Sequence, residues 1–230
     1  MFAALFGGAR QRLEKEFARA ARAAPSGPLA AYYGAGLADL EAPAGEARLL
    51  AIDLETDGLR PADDSILEAG MVELARGTVA VATARRFRFR TDAALNPQAV
   101  VIHRITDDDL SDALPTEEAL ARVLQACAGR VLVAHFAEIE AGFLDAACRR
   151  VFGAPFVAPF ICTMQIENRW FPRPRAEDGL RLGKLRSQYG LPAYRAHDGL
   201  TDALACAELL LAQIAHAGRA QVPVGQMLRH

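Results

Sequence analysis

The sequence predicts an α/β fold in which helices cover both faces of a mixed, five-stranded sheet. Between residues 48 and 90, three strand-like segments follow one another with short links, as three antiparallel strands do. Further along, strand-like segments alternate with helical ones, which is typical of parallel strands joined by crossover helices. With 230 residues, 52% of them hydrophobic, the chain is also long enough to bury one sizeable core.

The residues before the first strand are predicted to form a helical extension, residues 1–45. The stretch RQRLEKEFARAARAA has a helical composition, with Leu13 and Phe17 four residues apart, and PSGP ends it. We expect this extension to pack on its own domain, with a protein partner and a weak membrane contact as the alternatives. The main domain then covers residues 46–217, and residues 218–230 form a short C-terminal tail.

The main domain opens with LLAIDLETDGL, which predicts a buried strand at about 48–55. SILEAGMVEL and VAVATARRFRFR are the next two strands, and the alternating arginines and phenylalanines of RRFRFR predict one wet face and one packed face. RVLVAHF and FICTM are the fourth and fifth strands. Helices are predicted near residues 96–110, 116–127, 138–152, 164–170, 180–189 and 199–216.

Composition and cysteine usage favour a cytoplasmic protein without a membrane segment. No uninterrupted apolar run approaches the ~20 residues that span a bilayer, so no membrane partner is expected. The start, MFAALFGGAR, has no basic residue before its apolar stretch, and we expect it to be mature sequence. Scattered cysteines in apolar settings, without a C-x-x-C pair, favour reduced thiols over disulfides or zinc. They are Cys127, Cys148, Cys162 and Cys206.

The net charge of −2 does not by itself indicate a nucleic-acid binder, but the basic residues are unevenly distributed. Between residues 169 and 195, seven basic residues stand against two acids, an excess that favours a phosphate backbone as partner. A solvated surface of helix and loop is the alternative. The basic residues are Arg169, Arg173, Arg175, Arg181, Lys184, Arg186 and Arg195, and the acids are Glu177 and Asp178.

Two carboxylates point to the same side of the first strand. Asp53 and Glu55 are two residues apart in a buried strand, so they repel each other and lose hydration. Each therefore costs free energy unless a cation lies between them. Hard divalent cations take oxygen ligands, and two-metal phosphoryl-transfer sites gather several carboxylates. Glu140, at the start of the helix after the fourth strand, and Asp202, near the start of the last helix, are the candidates for completing such a site.

Three segments, AIDLETDGL, VLVAHFAEIEAGFL and HDGLTDA, occur in this order and resemble the three motifs of the DEDDh 3′–5′ exonucleases. That family includes the epsilon proofreading subunit of bacterial replicative DNA polymerase, ribonuclease T and oligoribonuclease. The resemblance extends over roughly residues 47–216 and includes LNPQAVVIHRIT, which is similar to the family's Pro-x₅-His-Gly-Ile segment. It implies a ribonuclease H-like fold for the predicted sheet.

The resemblance also implies roles for individual residues. Two Mg²⁺ or Mn²⁺ ions would be held by four carboxylates, those of Asp53, Glu55, Glu140 and Asp202. His197, whose ordinary pKa of ~6.5 suits proton transfer at neutral pH, matches the histidine that deprotonates the attacking water. Thr56 and Leu59 are expected against the 3′-terminal nucleotide, with Leu59 as a wedge near its base, and Gln98 and His103 beside the substrate.

The chain departs from the family pattern at a few positions. Glu140 stands where the family usually has Asp, and its extra methylene adds roughly 1.5 Å, which is large against Mg²⁺–oxygen distances of ~2.0–2.1 Å. We therefore expect an active enzyme with a reduced rate or a stronger preference for Mn²⁺. Phe136 replaces the usual Asn after Ala-His, which puts local hydrogen bonding in doubt. Arg104 and Cys162 replace a Gly and an Asp outside the catalytic positions.

The predicted function is removal of nucleoside monophosphates from the 3′ end of single-stranded DNA, as in epsilon subunits. An exoribonuclease of the same fold is one alternative, and a catalytically weakened nucleic-acid-binding or polymerase-associated module is another. A polymerase or other protein partner would bind through the N-terminal arm, although a stand-alone nuclease is slightly favoured. Glu68 and His135 are expected to be structural, as a buried hydrogen-bonded acid and a packing residue at a strand end.

Overall fold

A mixed sheet of five strands forms the centre of the protein, which a computed structural model describes over residues 2–91, 95–106, 108–174 and 178–229. The strands are β1 (Leu49–Thr56), β2 (Ile66–Ala75), β3 (Thr78–Arg88), β4 (Val131–Ala134) and β5 (Phe160–Cys162). Across the sheet their order is β3-β2-β1-β4-β5. Strand β2 is antiparallel to both β1 and β3, and β4 and β5 continue the sheet in parallel with β1. The predicted strand succession is confirmed.

Helices connect and cover the strands. They are α1 (Phe2–Ala23), α2 (Pro28–Gly34), α3 (Pro97–His103), α4 (Thr116–Cys127), α5 (Glu138–Phe152), α6 (Thr163–Trp170), α7 (Leu182–Gln188) and α8 (Gly199–Ala217). Single 3₁₀ turns lie at Asp108–Leu110 and Val224–Met227. Of these, α2 has no counterpart in the sequence prediction, which ended the helical extension at PSGP.

The alternation of side chains along β1 separates two hydrophobic cores. Leu50, Ile52 and Leu54 pack on one face of the sheet with α4 and α5. Leu49 and Ala51 belong to the other core, which includes the buried side of α8. Because side chains alternate along a strand, Asp53 lies on the α8 face. Helix α8 lies across β1 and β2, and this packing decides what Asp53 meets.

The N-terminal helices pack into the first of these cores. The ring of Phe17 in α1 contacts the rings of Tyr32 and Tyr33 in α2, with centroids 6.0 and 4.9 Å away. The Tyr33 hydroxyl donates to the carbonyl oxygen of Pro155 at 2.7 Å and accepts from the Val157 amide at 3.0 Å. The expected packing of this extension on its own chain is therefore what the structure has.

The C-terminal tail is joined to the end of the same extension by backbone hydrogen bonds. The amides of Ala44 and Gly45 donate to the carbonyl oxygens of Val222 and Ala220 at 2.9 and 2.8 Å. Residues 40–45 and 220–225 thus run side by side against the second core. The division of the chain at residues 45 and 217 stays a prediction.

Helix α8 is apolar for a reason that lies in the fold. In the part of the chain that is described, it is the one helix with the length and hydropathy of a membrane span, although Asp202 and Glu208 interrupt its apolar run. Half of that stretch is buried inside the protein. Its buried side chains pack on β1 and β2. All four cysteines are free and buried, as expected of reduced thiols.

Candidate active site

Three carboxylates converge where β1 meets the first turn of α8. Asp53, Glu55 and Asp202 each offer an oxygen, and these oxygens lie within 4.8 Å of one another. A close backbone approach makes this possible. Gly70 of β2 pairs with Asp53, and a Cβ atom at Gly70 would lie 2.1 Å from the carbonyl carbon of Gly199. Only a residue without a side chain lets α8 begin this close to the sheet.

Burial and mutual repulsion hold protons on this cluster. Burial raises the pKa of Asp53 well above its ordinary value, and the charges of Glu140, Asp202 and the other neighbouring acids raise it further. Burial likewise raises the pKa of Glu55 from 4.5 to about 8, again with a contribution from Asp202. Such a cluster needs protons or a cation to be stable at neutral pH.

Asp202 is fixed by three hydrogen-bond donors. The Tyr194 hydroxyl donates to its Oδ1 at 2.7 Å. The backbone amides of His197 and Asp198 donate to its Oδ2 at 2.6 and 3.2 Å. The carboxylate therefore has a defined orientation before any ligand arrives. Tyr194 was not predicted as a site residue.

Glu140 lies at the border of the cluster. It is in the first turn of α5 and only 4% exposed, and its Oε2 has no hydrogen-bond partner among the described residues. Burial raises its pKa to about 8, and its charge acts on Asp53. It does not belong to the set of described carboxylates whose oxygens all lie within 4.8 Å of one another. The prediction that it joins the other three as a metal ligand stays a prediction.

The donor set suits a hard divalent cation. Three buried or half-buried carboxylates supply oxygens only, which Mg²⁺ and Mn²⁺ prefer to nitrogen or sulfur. The raised pKa values of Asp53 and Glu55 indicate uncompensated negative charge, and Oε2 of Glu140, which has no partner among the described residues, is a further acceptor nearby. The residues present therefore fit the metal that the sequence predicts.

His197 is held at the edge of the cluster by its backbone. It has a left-handed φ of 64°, and its ring borders two cavities. The next residue, Asp198, caps α8 by accepting from the Thr201 amide at 2.9 Å. Arg86 of β3 donates to Asp198 at 2.5 Å and pairs with Glu68 at 3.3 Å. The sequence indicated a wet face for Arg86, but not this role.

A cavity of about 940 Å³ opens above the carboxylates. Leu59, whose side chain is 78% exposed, and Phe136, which is 47% exposed, give it apolar surface. Arg181 and Lys184 line it with positive charge. Arg186 also borders it, but is buried and donates to Glu208 at 2.7 Å, so its role is structural. Of the other residues in the basic run, Arg175 and Glu177 lie outside the described residues.

Of the residues expected beside the substrate, some border a cavity near the carboxylates and others do not. His103 is buried, and its Nδ1 accepts from the Ile105 amide at 3.0 Å, so the proton is on Nε2, which has no partner among the described residues. It borders a 130 Å³ cavity together with Glu55 and His197. The Thr56 hydroxyl donates to the Gly58 carbonyl at 2.6 Å, which shapes the turn before Leu59. Gln98 is exposed on α3; among the described lining residues of these two cavities, neither it nor Thr56 occurs.

His135 and Glu68 form buried hydrogen bonds and ion pairs next to the site. The carbonyl oxygen of Leu180 can only accept, so His135 donates to it from Nε2 at 2.8 Å and accepts from Thr163 at Nδ1 at 2.7 Å. Burial lowers the pKa of His135 to about 4. Glu68 is 2% exposed and pairs with Arg86 and Arg88. Both residues have the structural environment that was expected.

Comparison with known proteins shows that the sequence is similar to exonucleases and to subunits of DNA polymerase III. The sequence profile of the exonuclease family RNase_T matches residues 50–210. DNA polymerase III subunit epsilon of Treponema pallidum (strain Nichols) is 33% identical over 171 residues, which cover 72% of this chain and 76% of that protein. DNA polymerase III PolC-type of Streptococcus pneumoniae serotype 2 is 27% identical over 172 residues, and the chain spans only 11% of its length.

Solved structures with the same fold include nucleases with bound DNA. Exonuclease X in complex with 5′ overhanging duplex DNA has a TM-score of 0.58 and 25% identity, over 77% of this chain and 99% of that one. Escherichia coli Exonuclease I in complex with a dA16 oligonucleotide has a TM-score of 0.64 at 18% identity, over 74% of this chain and 41% of that one. The second likeness concerns the fold.

Proposed function

Because this chain belongs to the exonuclease family RNase_T, we propose that it removes nucleoside monophosphates from the 3′ end of single-stranded DNA with the help of divalent cations. Membership makes it a 3′–5′ exonuclease, a phosphodiester hydrolase; the single-stranded DNA and the cations belong to the proposal. The observation that carries it is the cluster of Asp53, Glu55 and Asp202 beneath a cavity with basic and apolar walls.

The carboxylate cluster is the proposed place of the cations. Asp53, Glu55 and Asp202 would hold one Mg²⁺ or Mn²⁺ ion, and Asp53 with Glu140 would contribute to a second. When bound, such ions activate a water molecule and stabilise the charge on the attacking and leaving oxygens. Their positive charge would offset the burial and mutual repulsion that raise the pKa values of Asp53 and Glu55.

His197 is the proposed general base. Its ring is exposed at the edge of the cluster, where an attacking water can reach it. It takes the proton of that water and passes it to solvent. The bonds from its own amide to Asp202, and from Arg86 to Asp198, keep the ring near the carboxylates. His197 thus acts on the reacting water, and Arg86 acts through His197.

The substrate strand would lie along the cavity. Arg181 and Lys184 supply sequence-independent contacts to its phosphates. Leu59 would press against the terminal base, and the Nε2–H of His103, which has no partner among the described residues, would donate to the terminal nucleotide. Thr56 is proposed to act by shaping the Leu59 turn. Gln98, on the exposed side of α3, is the weakest of the proposed substrate contacts.

Association with a polymerase is a further part of the proposal. One relative is an epsilon subunit of DNA polymerase III, and another is a PolC-type polymerase that contains a matching segment. In this chain one side of α1 packs into the core through Phe17. The exposed side of the same helix carries Arg12, Lys15 and Arg19. That exposed side of α1 is the surface proposed for a protein partner.

The test is degradation of 5′-labelled single strands of DNA and RNA of equal length, with Mg²⁺, with Mn²⁺ and with EDTA. We expect stepwise shortening of DNA and release of nucleoside monophosphates with either cation and none with EDTA. Asp202→Asn should lower the rate at least ~100-fold, because even losses beyond the direct ligands of a metal cost 10- to 100-fold. Asp112→Asn, which changes an exposed acid elsewhere, is the matched control.

Three other results would each change the conclusion. Faster degradation of RNA than of DNA would make the chain an exoribonuclease. Binding of single strands without release of monophosphates, in Mg²⁺ and in Mn²⁺, would make it a weakened binding module. An Asp202→Asn enzyme with full activity would remove the carboxylate cluster from the mechanism.

A further inference from the structure

Phe136 combines two properties that a packing residue rarely has. It follows His135 directly after β4, and its φ of 71° lies in the left-handed region, where a bulky side chain is strained. Its side chain is nevertheless 47% exposed, so burial does little to offset that strain. Strained backbone of this kind is concentrated at functional sites.

The surroundings of Phe136 indicate what it does. It lines the 940 Å³ cavity together with Leu59, Asp53, Glu55 and Asp202. An aromatic face, an exposed aliphatic side chain and a cluster of acids thus share one open space. Such a combination suits an unpaired nucleotide, whose base is flat and apolar on its faces and whose phosphate must reach the carboxylates through cations.

We infer that Phe136 is a stacking platform for an unpaired base at the 3′ end of the strand, with Leu59 as the second apolar contact. The inference rests on the proposed function and adds a substrate-binding residue to it. The DEDDh exonucleases that the chain resembles usually have Asn here, and Asn tolerates the left-handed conformation far better than Phe. This chain therefore has an aromatic ring where the backbone alone favours an amide.

Stacking on Phe136 has consequences for specificity. Every base presents a π-face, so the contact is expected to be tolerant of sequence. A base that is still paired in a duplex cannot offer that face without unpairing, which costs free energy. Phe136 should therefore favour frayed or single-stranded 3′ ends over blunt ones, whatever their sequence.

The experiment compares Phe136→Asn, Phe136→Leu and Phe136→Tyr with the unchanged enzyme. KM and kcat are measured on single-stranded DNA with Mg²⁺, and stacking is read from the fluorescence of a 3′-terminal 2-aminopurine. We expect Phe136→Asn to raise KM about 5- to 100-fold, as the loss of one base–aromatic stack does, with a smaller change in kcat. It should also abolish the quenching of 2-aminopurine, while thermal stability stays the same or rises.

The other variants separate stacking from simple hydrophobic contact. Phe136→Tyr should keep both KM and quenching, and Phe136→Leu should lose quenching. Val81→Asn is the control, since Val81 is 62% exposed on β3 and is not among the described residues that line the cavity.

The outcomes distinguish this inference from the function it rests on. An active enzyme whose Phe136→Asn or Phe136→Leu variant keeps the original KM and quenching would overturn the stacking role alone. An unchanged enzyme that neither binds nor shortens single-stranded DNA would overturn the proposed function, and the stacking role with it.

Discussion

Arg86 connects the carboxylate cluster to the loop that carries His197. Its guanidinium forms ion pairs with Asp198, the N-cap of α8, and with Glu68. Glu68 lies opposite Glu55 in the register of β1 and β2. One side chain from the edge strand thus fixes the distance between the proposed base and the acids. Because Arg86 and Asp198 are 112 positions apart, no local sequence pattern could have predicted their contact.

Replacing Arg86 should therefore impair catalysis more than binding. We expect Arg86→Gln to lower kcat about 10- to 100-fold, because small displacements of reacting groups have effects of this size, with little change in KM. Arg85→Gln is a matched control, since Arg85 is exposed on the opposite face of β3 and pairs with Glu73. Steady-state kinetics on single-stranded DNA check this. Equal kcat values for the two variants would contradict the positioning role.

Glu140 allows a test with two readouts of opposite sign. Glu140→Gln removes a buried negative charge that raises the pKa of Asp53, so without cations the protein should unfold at a higher temperature at pH 8. The same change should lower exonuclease activity about 10- to 100-fold, as the loss of a group next to a metal site does.

The control for Glu140 lies two residues before it. Glu138→Gln changes the charge of a residue in the same first turn of α5 that accepts from Gln165 at 2.6 Å, and it should leave activity largely unchanged. Glu140→Asp then tests the departure from the family pattern. A large gain in rate would identify the longer side chain as a handicap.

At the level of elements, the approach of α8 to β2 decides whether the site forms. Gly70 and Gly199 meet backbone to backbone, and this contact places the first turn of α8, with Asp202, against β1. The sequence shows glycine at both positions, but only the structure shows that they face each other.

Gly70→Ala should separate these two elements. The added methyl group has no room beside the Gly199 carbonyl carbon, so we expect a loss of about 1–3 kcal/mol in the free energy of unfolding, as overpacking gives. Activity should fall with it, because Asp202 moves with α8. Gly34→Ala is the control, since no atom of the described residues lies within 4 Å of a Cβ there. Urea unfolding measures the first effect; an unchanged midpoint for Gly70→Ala would argue against the contact.

The elements themselves could be predicted where their pattern is local. Helices α4 and α5 have the predicted bounds because apolar periodicity, acidic first turns and the left-handed Gly153 after α5 all act within the segment. Helix α2 departs from the prediction because Pro28, the last residue of PSGP, begins a helix, and proline at the first position of a helix favours its start. Its tyrosines bond to residues 155–157, which no nearby residue indicates.

The site residues, too, could be predicted where a local pattern contains them. Asp53 and Glu55 are recognisable from the alternation of β1, and Asp202 and His197 from their motif. Tyr194 could not be predicted, since its hydrogen bond to Asp202 depends on how the segment between α7 and α8 packs. At the scale of the whole molecule, the mixed sheet and the exonuclease class are confirmed.

The stability of the whole molecule should depend on pH through its buried acids. Glu55 and Glu140 have pKa values of about 8 in the folded protein, raised from 4.5 by burial. The native state then binds more protons than the unfolded chain between about pH 5 and pH 8. The contribution of these acids to stability is full below the lower value and is lost as the pH rises through the higher one, so the cation-free protein should become less stable across this window.

Divalent cations should reverse this trend. Because they bind ionised carboxylates, Mg²⁺ or Mn²⁺ should raise Tm more at pH 8 than at pH 5.5, by about 5–10 °C at a concentration one hundred times Kd. Thermal unfolding with EDTA and with each cation measures the difference. Asp53→Asn should lose most of the gain, and an equal gain at both pH values would contradict cation binding by these acids.

The buried imidazole of His135 bears on how such kinetic data are interpreted. With a pKa near 4 it stays uncharged above about pH 5, so Nδ1 keeps accepting from Thr163 while Nε2–H donates to the Leu180 carbonyl, directly before Arg181, throughout the range in which nucleases are assayed. Titration of His135 therefore contributes nothing to an acidic limb that a pH–rate profile shows above about pH 5.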